Sequence, residues 1–116
     1  MDAARLRRNG DIAAVRETNV AVQHRLFALR ARANDLGMTR LAVSAPRSLG
    51  TAVARNRARR RLREAFRIVV KDRRPAIGRD ILVTARRDVV AASPAAVREA
   101  AARALAALGS GEALAP

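Results

Sequence analysis

An α+β two-layer sandwich, in the order α-β-β-β-α-β-α, is the fold class that the sequence predicts, on three observations. Apolar and polar residues alternate with period two before position 34, and short apolar segments at 39–44 and 80–86 read as further strands. Residues 52–72 instead repeat their apolar side chains at helical spacing, and a second helical stretch follows Ser93-Pro94. Runs of strands with helices gathered on one face of the sheet make such a sandwich. The chain has 116 residues, which suits one domain. We expect residues 1–108 to form it, with 1–8 as a loosely ordered basic arm and 109–116 as a disordered tail.

Asn9 is placed to cap a short helix whose apolar stripe is Ile12 and Val15, with Asp11 near the positive end of its dipole. From Val20 the pattern turns to period two. Phe27, Leu29 and Ala31 alternate with Ala28, Arg30 and Arg32, which predicts a strand with one wet face. Asn34-Asp35-Leu36-Gly37 reads as a hairpin-type turn, and residues 39–44 as the next strand, ended by Pro46. Thr51 is the predicted N-cap of the long helix. On that helix Ala58, Leu62, Ala65, Phe66, Val69 and Val70 span about 140° of the wheel, an ordinary core stripe. Arg73-Arg74-Pro75 stops it. Residues 80–86 predict a strand, and Ser93 caps a last helix with Pro94 in its first turn. Val97, Ala101, Ala104, Leu105 and Leu108 share one side of that helix.

Composition excludes several classes. There is no Cys, which removes disulfides, thiolate nucleophiles and Cys-based zinc sites. The longest uncharged stretch, Val89 to Val97, is nine residues and too short to span a bilayer. No apolar block follows the basic N-terminus, so a soluble, cytoplasmic protein is expected. His24 is the single histidine and suits a strand-edge hydrogen bond. Asp80 and Asp88 flank a strand but lack the third acid or histidine of a metal-dependent nuclease. A DNA-binding basic helix needs a dimerising heptad, and none follows Lys71. The apolar face of 52–72 is needed for the core, which argues against a membrane-surface helix.

Charge is the informative quantity. Lys and Arg number 24 against 10 acids, a net +14, so a polyanion is the expected partner. Between Arg47 and Arg74 eleven basic residues face only Glu64 and Asp72. On the outer face of the long helix, Arg57–Arg60–Arg61 and Arg59–Arg63 stand at spacings where like charges each cost roughly 0.2–0.5 kcal/mol. A merely solvated face interleaves glutamates, whereas this one has Glu64 alone. Arg55 and Arg59 tilt toward the apolar stripe, where they reach the neighbouring sheet or loop. Beside Asn56 they make a phosphate site of several donors. If such a helix neutralises about six phosphates, log K falls against log salt with a slope near −4 to −5.

Arg55 to Arg67, R-N-R-A-R-R-R-L-R-E-A-F-R, resembles the RNR signature of the bacterial ribonuclease P protein component. Leu41-Ala42-Val43-Ser44 with Arg47, Leu49 and Gly50 resembles the strand and glycine turn before that signature, and Arg79-Asp80-Ile81-Leu82-Val83 the strand after it. The likeness covers about residues 6–108. It implies a subunit of the endoribonuclease that removes the 5′ leader of precursor tRNA, with the catalytic site in the RNA subunit and Mg2+ held mainly by RNA. The implied partners are that catalytic RNA and precursor tRNA, with no membrane and no obligate protein partner. A ribosomal-type structural RNA-binding protein is the alternative that composition alone allows.

By the same resemblance Arg55, Asn56, Arg57, Arg59, Arg60, Arg63 and Arg67 bind the catalytic RNA. The implied leader cleft between the N-terminal helix and the sheet involves Ile12, Arg16, Phe27 and Arg30, with Phe27 open to either the cleft or the core; to these our own reading adds Ser44 and Arg47 at its edge. No protein residue is assigned to catalysis or to metal. The family commonly has aromatic residues where this chain has Ile12, Arg16 and Arg30. Stacking on a ring is worth about 1–3 kcal/mol per base, so leader binding here is expected to be more electrostatic. The resemblance also implies a left-handed crossover from the strand at 39–44 through the long helix to the strand at 80–86, similar to a ribosomal-protein domain.

Overall fold

The computed structural model describes residues 4–19, 21–72 and 78–110. Along the chain come β1 (Ala4–Arg5), α1 (Asn9–Arg16), β2 (Val22–Gln23), β3 (Phe27–Ala33), β4 (Arg40–Ser44), α2 (Ala52–Asp72), β5 (Arg79–Ala85) and α3 (Pro94–Ser110). One-turn 3-10 helices at Arg47–Leu49 and Arg87–Val90 lead into α2 and α3. The strands form one mixed sheet in the order β1-β4-β5-β3-β2. β4 lies parallel to β5, with Leu41 opposite Ile81, and β3 runs antiparallel to β5, with Leu29 opposite Val83.

The α+β class holds, with two departures from the expected arrangement. The first is an added strand, so the order is β-α-β-β-β-α-β-α. The expected basic arm is partly built into the sheet: β1 pairs parallel with β4, and the Leu6 N–H donates to the Leu41 carbonyl at 2.8 Å. Leu6 is buried between the flanking arginines, which anchors the segment.

The second departure concerns the helices, which are not gathered on one face. On one side, Phe27, Leu29, Leu41, Ile81 and Val83 meet Leu62 and Phe66 of α2 and Val97 and Leu105 of α3 in the main core. On the other side α1 covers the sheet, where Leu6, Val15 and Leu82 form a second cluster with Ile12 and Ala42 against it. The cause is visible in β5, where Ile81, Leu82 and Val83 are all buried. A central strand that is apolar on both faces needs cover on both. The wet face expected for β3 is therefore half covered: Ala28 is buried, and the Arg30 Nε donates to the Thr18 carbonyl just after α1.

Helix ends follow local chemistry. Thr51 Oγ1 accepts the Ala54 N–H at 3.1 Å and Ser93 Oγ the Ala96 N–H at 3.1 Å, as expected of N-caps. Asn9 instead lies inside α1, and Arg8 stands at its cap with no side-chain capping bond. β5 begins at Arg79 rather than Asp80, and α3 continues through Ser110, two residues into the expected tail. Val20, Arg73-Arg74-Pro75 and residues 111–116 lie outside the described residues.

A polar knot fixes the far end of the sheet. Arg40 Nε and Nη2 donate to the two oxygens of Asp80 at 2.8 and 2.7 Å, and Nη1 reaches Asp11 of α1 at 3.4 Å. Asn34 Nδ2 donates to Asp80 at 2.7 Å, while Asn34 Oδ1 accepts the Leu36 N–H, closing the 34–37 turn. A Cβ on Gly78 would collide with the Asn34 side-chain and backbone oxygens, so glycine is required where this turn meets β5. Burial pushes the Asp80 carboxyl up, but hydrogen bonds from Arg40 and Asn34 and the Arg40 charge outweigh it and hold Asp80 below the usual carboxylate range.

Because the folded value is the depressed one, the stability that Asp80 contributes is present at neutral pH and is lost as pH falls through that lowered value. Asp80→Asn is expected to cost about 3 kcal/mol at pH 7, toward the low end for a broken buried pair because Arg40 keeps Asp11. It should also flatten the acid limb of the stability curve. Denaturant unfolding at pH 7 and at acid pH checks this. An unchanged midpoint at pH 7 would show that the pair contributes nothing net.

Candidate nucleic-acid interface

α2 presents the site. Its apolar stripe is buried as expected, with Ala58, Leu62 and Phe66 at 0% exposure. The face opposite is therefore fixed outward along 21 residues, roughly 30 Å. Arg57 and Arg60 are exposed, and Arg59, Arg63 and Arg67 are half-buried at the two flanks. Arg67 pairs with Glu64 at 2.8 Å. Among the described residues Arg57, Arg60 and Arg63 have no acidic partner.

The two arginines tilted toward the core edge behave differently. Arg55 Nε donates to the Ala45 carbonyl at 3.2 Å, which ties the start of α2 to the end of β4. Arg59 donates to the Asn56 side chain instead. That bond leaves the Asn56 amide and the Arg59 fork side by side at the helix start, an arrangement able to hold one phosphate from two directions.

β1 brings a residue that the sequence reading missed. Arg5 lies against Arg63, and burial first, then the charges of Arg5 and Arg59, lower the Arg63 guanidinium below its ordinary value. Arg5, Arg7 and Arg63 line a groove of about 350 Å3 together with Ile12 and Ala42. Three cations without an acid in one concavity focus positive potential there. The signal was in the alternation Arg5-Leu6-Arg7, a short strand pattern in a segment expected to be loose.

The groove brings one expected leader residue, Ile12, next to one expected RNA contact, Arg63. The other cleft residues lie apart from it. Arg16 is exposed at the end of α1, and Arg30 is half-buried on β3 and tied to Thr18. Ser44 shares the α1 side of β4 with Arg40 and Ala42, by alternation with the core residues Leu41 and Val43. Arg47 is exposed in the 3-10 turn that follows.

Phe27 is a correction. It points to the opposite face of the sheet from α1, has 0% exposure, and meets Phe66 edge-on at 5.3 Å between ring centroids. His24 stacks over its other side at 5.1 Å. Phe27, Leu29 and Ala31 of β3 all face the main core, so Phe27 has no ring face to offer a base. His24 plays the strand-edge part: its Nδ1 accepts the Leu26 N–H at 3.0 Å, which requires that nitrogen unprotonated. Burial, and after it Arg25, Arg103 and Arg86, lower its pKa from 6.5. Asp80 is held by Arg40, and Asp88 stands 3.6 Å from Arg25. Among the described residues no three His, Cys, Asp or Glu side chains gather as metal ligands would.

An α+β scaffold that presents an arginine helix whose cations far outnumber its acids is the build of a protein made to meet a polyanion. Comparison with known proteins narrows that class. The ribonuclease P family model matches residues 1–109. The ribonuclease P protein component of Staphylococcus epidermidis is 38% identical over 85 residues, 72% of this chain and 71% of its own length. That of Syntrophobacter fumaroxidans is 40% identical over 82 residues, 71% and 68% of the two chains. Among solved structures, the Staphylococcus aureus RNase P protein superposes with a TM-score of 0.73 at 26% identity, covering 90% of this chain and 94% of that one. The Thermotoga maritima RNase P protein gives 0.66 at 30% identity, covering 82% and 88%. The chain belongs to the bacterial ribonuclease P protein family, and is a protein subunit of that tRNA-processing ribozyme.

Phe27→Leu is expected to cost about 1–2 kcal/mol through lost contact with Phe66 and His24. The ratio of affinities for precursor tRNA with and without its leader should stay unchanged. Thermal unfolding together with that ratio checks the assignment. A lowered ratio at full stability would return Phe27 to the leader cleft.

Proposed function

We propose that this chain binds the catalytic RNA of ribonuclease P through Arg55, Asn56, Arg57, Arg59, Arg60, Arg63 and Arg67, and that it holds the 5′ leader of precursor tRNA against the α1 side of the sheet. The observation that carries the first half is the set Arg57, Arg60 and Arg63 on α2, which among the described residues have no acidic partner. RNA phosphates supply the missing charge, and arginine forks bind them bidentately. Ile12, Arg16, Arg30, Ser44 and Arg47 form the leader track, now without Phe27. With no aromatic ring along that track, phosphate contacts and guanidinium planes do the holding, which makes leader affinity depend steeply on salt.

Bond cleavage is assigned to the RNA subunit, and Mg2+ with it. Among the described residues the proposed surfaces offer arginines where Mg2+ needs oxygen ligands such as carboxylates, so they do not suit that ion as ligands. The contribution of the protein is to neutralise phosphates that would otherwise repel one another when leader and catalytic RNA come together. Membership of the family also supports a left-handed sense for the β4–α2–β5 crossover, whose two strands are parallel neighbours.

The test is cleavage of precursor tRNA at low Mg2+ by the cognate catalytic RNA, with and without the protein. Wild type should restore cleavage that the RNA alone does not sustain. The double variant Arg57→Ala, Arg60→Ala should bind the RNA about a hundredfold more weakly near 0.1 M salt, at roughly tenfold per lost phosphate contact. Full stimulation by the double variant, or cleavage by the protein alone, would contradict the reading.

A further inference from the structure

The other flank of α2 carries a groove that the leader track and the β1 edge do not use. It lies between α2 and the start of α3, with a volume of about 420 Å3. Arg57, Arg60 and Arg61 project into it from α2 and Arg98 from α3. The floor is apolar, formed by Ala65 and Pro94. Glu64 is the one acid on its wall, and its carboxylate is already engaged by Arg67 at 2.8 Å. Glu99, the residue after Arg98, is taken by Arg103 at 2.9 Å. The first turn of α3 holds no acid to balance its positive end. Arg61 is held in place, since its guanidinium donates to the Ala92 carbonyl in the turn before α3.

Four guanidinium groups thus line one concavity whose single carboxylate is spoken for. Building such a site costs repulsion within the chain, and a bound anion offsets that cost. The groove is open and continuous with the outer row of α2, because Arg57 and Arg60 belong to both. A backbone strand running along α2 is therefore a better fit than an isolated small anion.

We infer that the α2–α3 groove is a second RNA-phosphate site, in which Arg61 and Arg98 join Arg57 and Arg60 on the backbone of the catalytic RNA. The inference rests on the RNA-binding role proposed for α2 and extends its footprint to a second helix. Contact through two helices would fix how the protein is rotated about the α2 axis when bound. That in turn sets where the leader track on the opposite face of the sheet is aimed.

Two charge reversals separate the site from bulk electrostatics. Arg98 and Arg32 are both exposed, and each reversal changes net charge equally. Arg32 lies on β3, away from the groove. Binding of the cognate catalytic RNA is measured across a salt series for wild type, Arg98→Glu, Arg32→Glu and Arg57→Ala. Arg98→Glu should weaken binding about tenfold or more near 0.1 M salt and reduce the salt slope by about one, with Arg32→Glu close to wild type. If Arg57→Ala weakens binding while Arg98→Glu and Arg32→Glu behave alike, the groove is not a phosphate site and the α2 reading stands. If Arg57→Ala also binds as wild type does, the α2 reading falls and the groove falls with it.

Discussion

The rest of the structure depends on one constraint: α2 must bury one face while the other cannot neutralise itself. About seven like-charged pairs at helical spacing, from Arg55–Arg59 to Arg67–Lys71, oppose the helix by roughly 1.5–3.5 kcal/mol together. Against this, Leu62, Phe66 and Val69 are buried, and burying each such side chain is worth about 1.5–3 kcal/mol. Burial wins, so the helix forms, but only as part of the sheet and α3 that cover its apolar stripe. The same apolar stripe aims the arginines outward. Fold and binding surface are thus two consequences of one helical pattern.

The opposite face of the sheet is organised more lightly. α1 is eight residues long and rests on a small cluster around Val15 and Leu82. Polar ties compensate for the small apolar contact: Asp11 reaches the Arg40–Asp80 pair at one end, and Arg30 holds the Thr18 carbonyl at the other. Both ties are made by arginines, Arg40 and Arg30. The acids Asp11 and Asp80 are spent inside the fold, which leaves the exterior more positive than the overall charge alone conveys.

Much of this was legible in the sequence. The bounds of α2, its buried stripe and its N-cap Thr51 could be read from spacing alone, because a long amphipathic helix carries many concordant residues, while the R-N-R stretch stood out through its family resemblance. Short elements carry few. β1 rests on Leu6 alone among arginines, so it read as an arm. The placement of α1 on the far side of the sheet was written in Ile81-Leu82-Val83, three apolar residues in a row where a one-sided strand would alternate. Phe27 followed the resemblance into the cleft, although its own alternation with Ala28 and Arg30 placed it in the core. Arg98 carries no local signal at all. Its neighbourhood with Arg57 and Arg61 exists only once α3 packs beside α2.

The claim that the outer arginines of α2 are not neutralised from within is tested most directly by thermal unfolding of the isolated protein across a salt series, for wild type and for the double variant Arg57→Ala, Arg60→Ala. Salt screens exposed charges, with a Debye length of about 10 Å at 0.1 M. The account predicts that wild-type Tm rises with added salt, that the double variant is the more stable of the two at low salt, and that the difference closes as salt increases. A double variant that is less stable than wild type at low salt would mean that these arginines stabilise the fold from within, and would contradict the account.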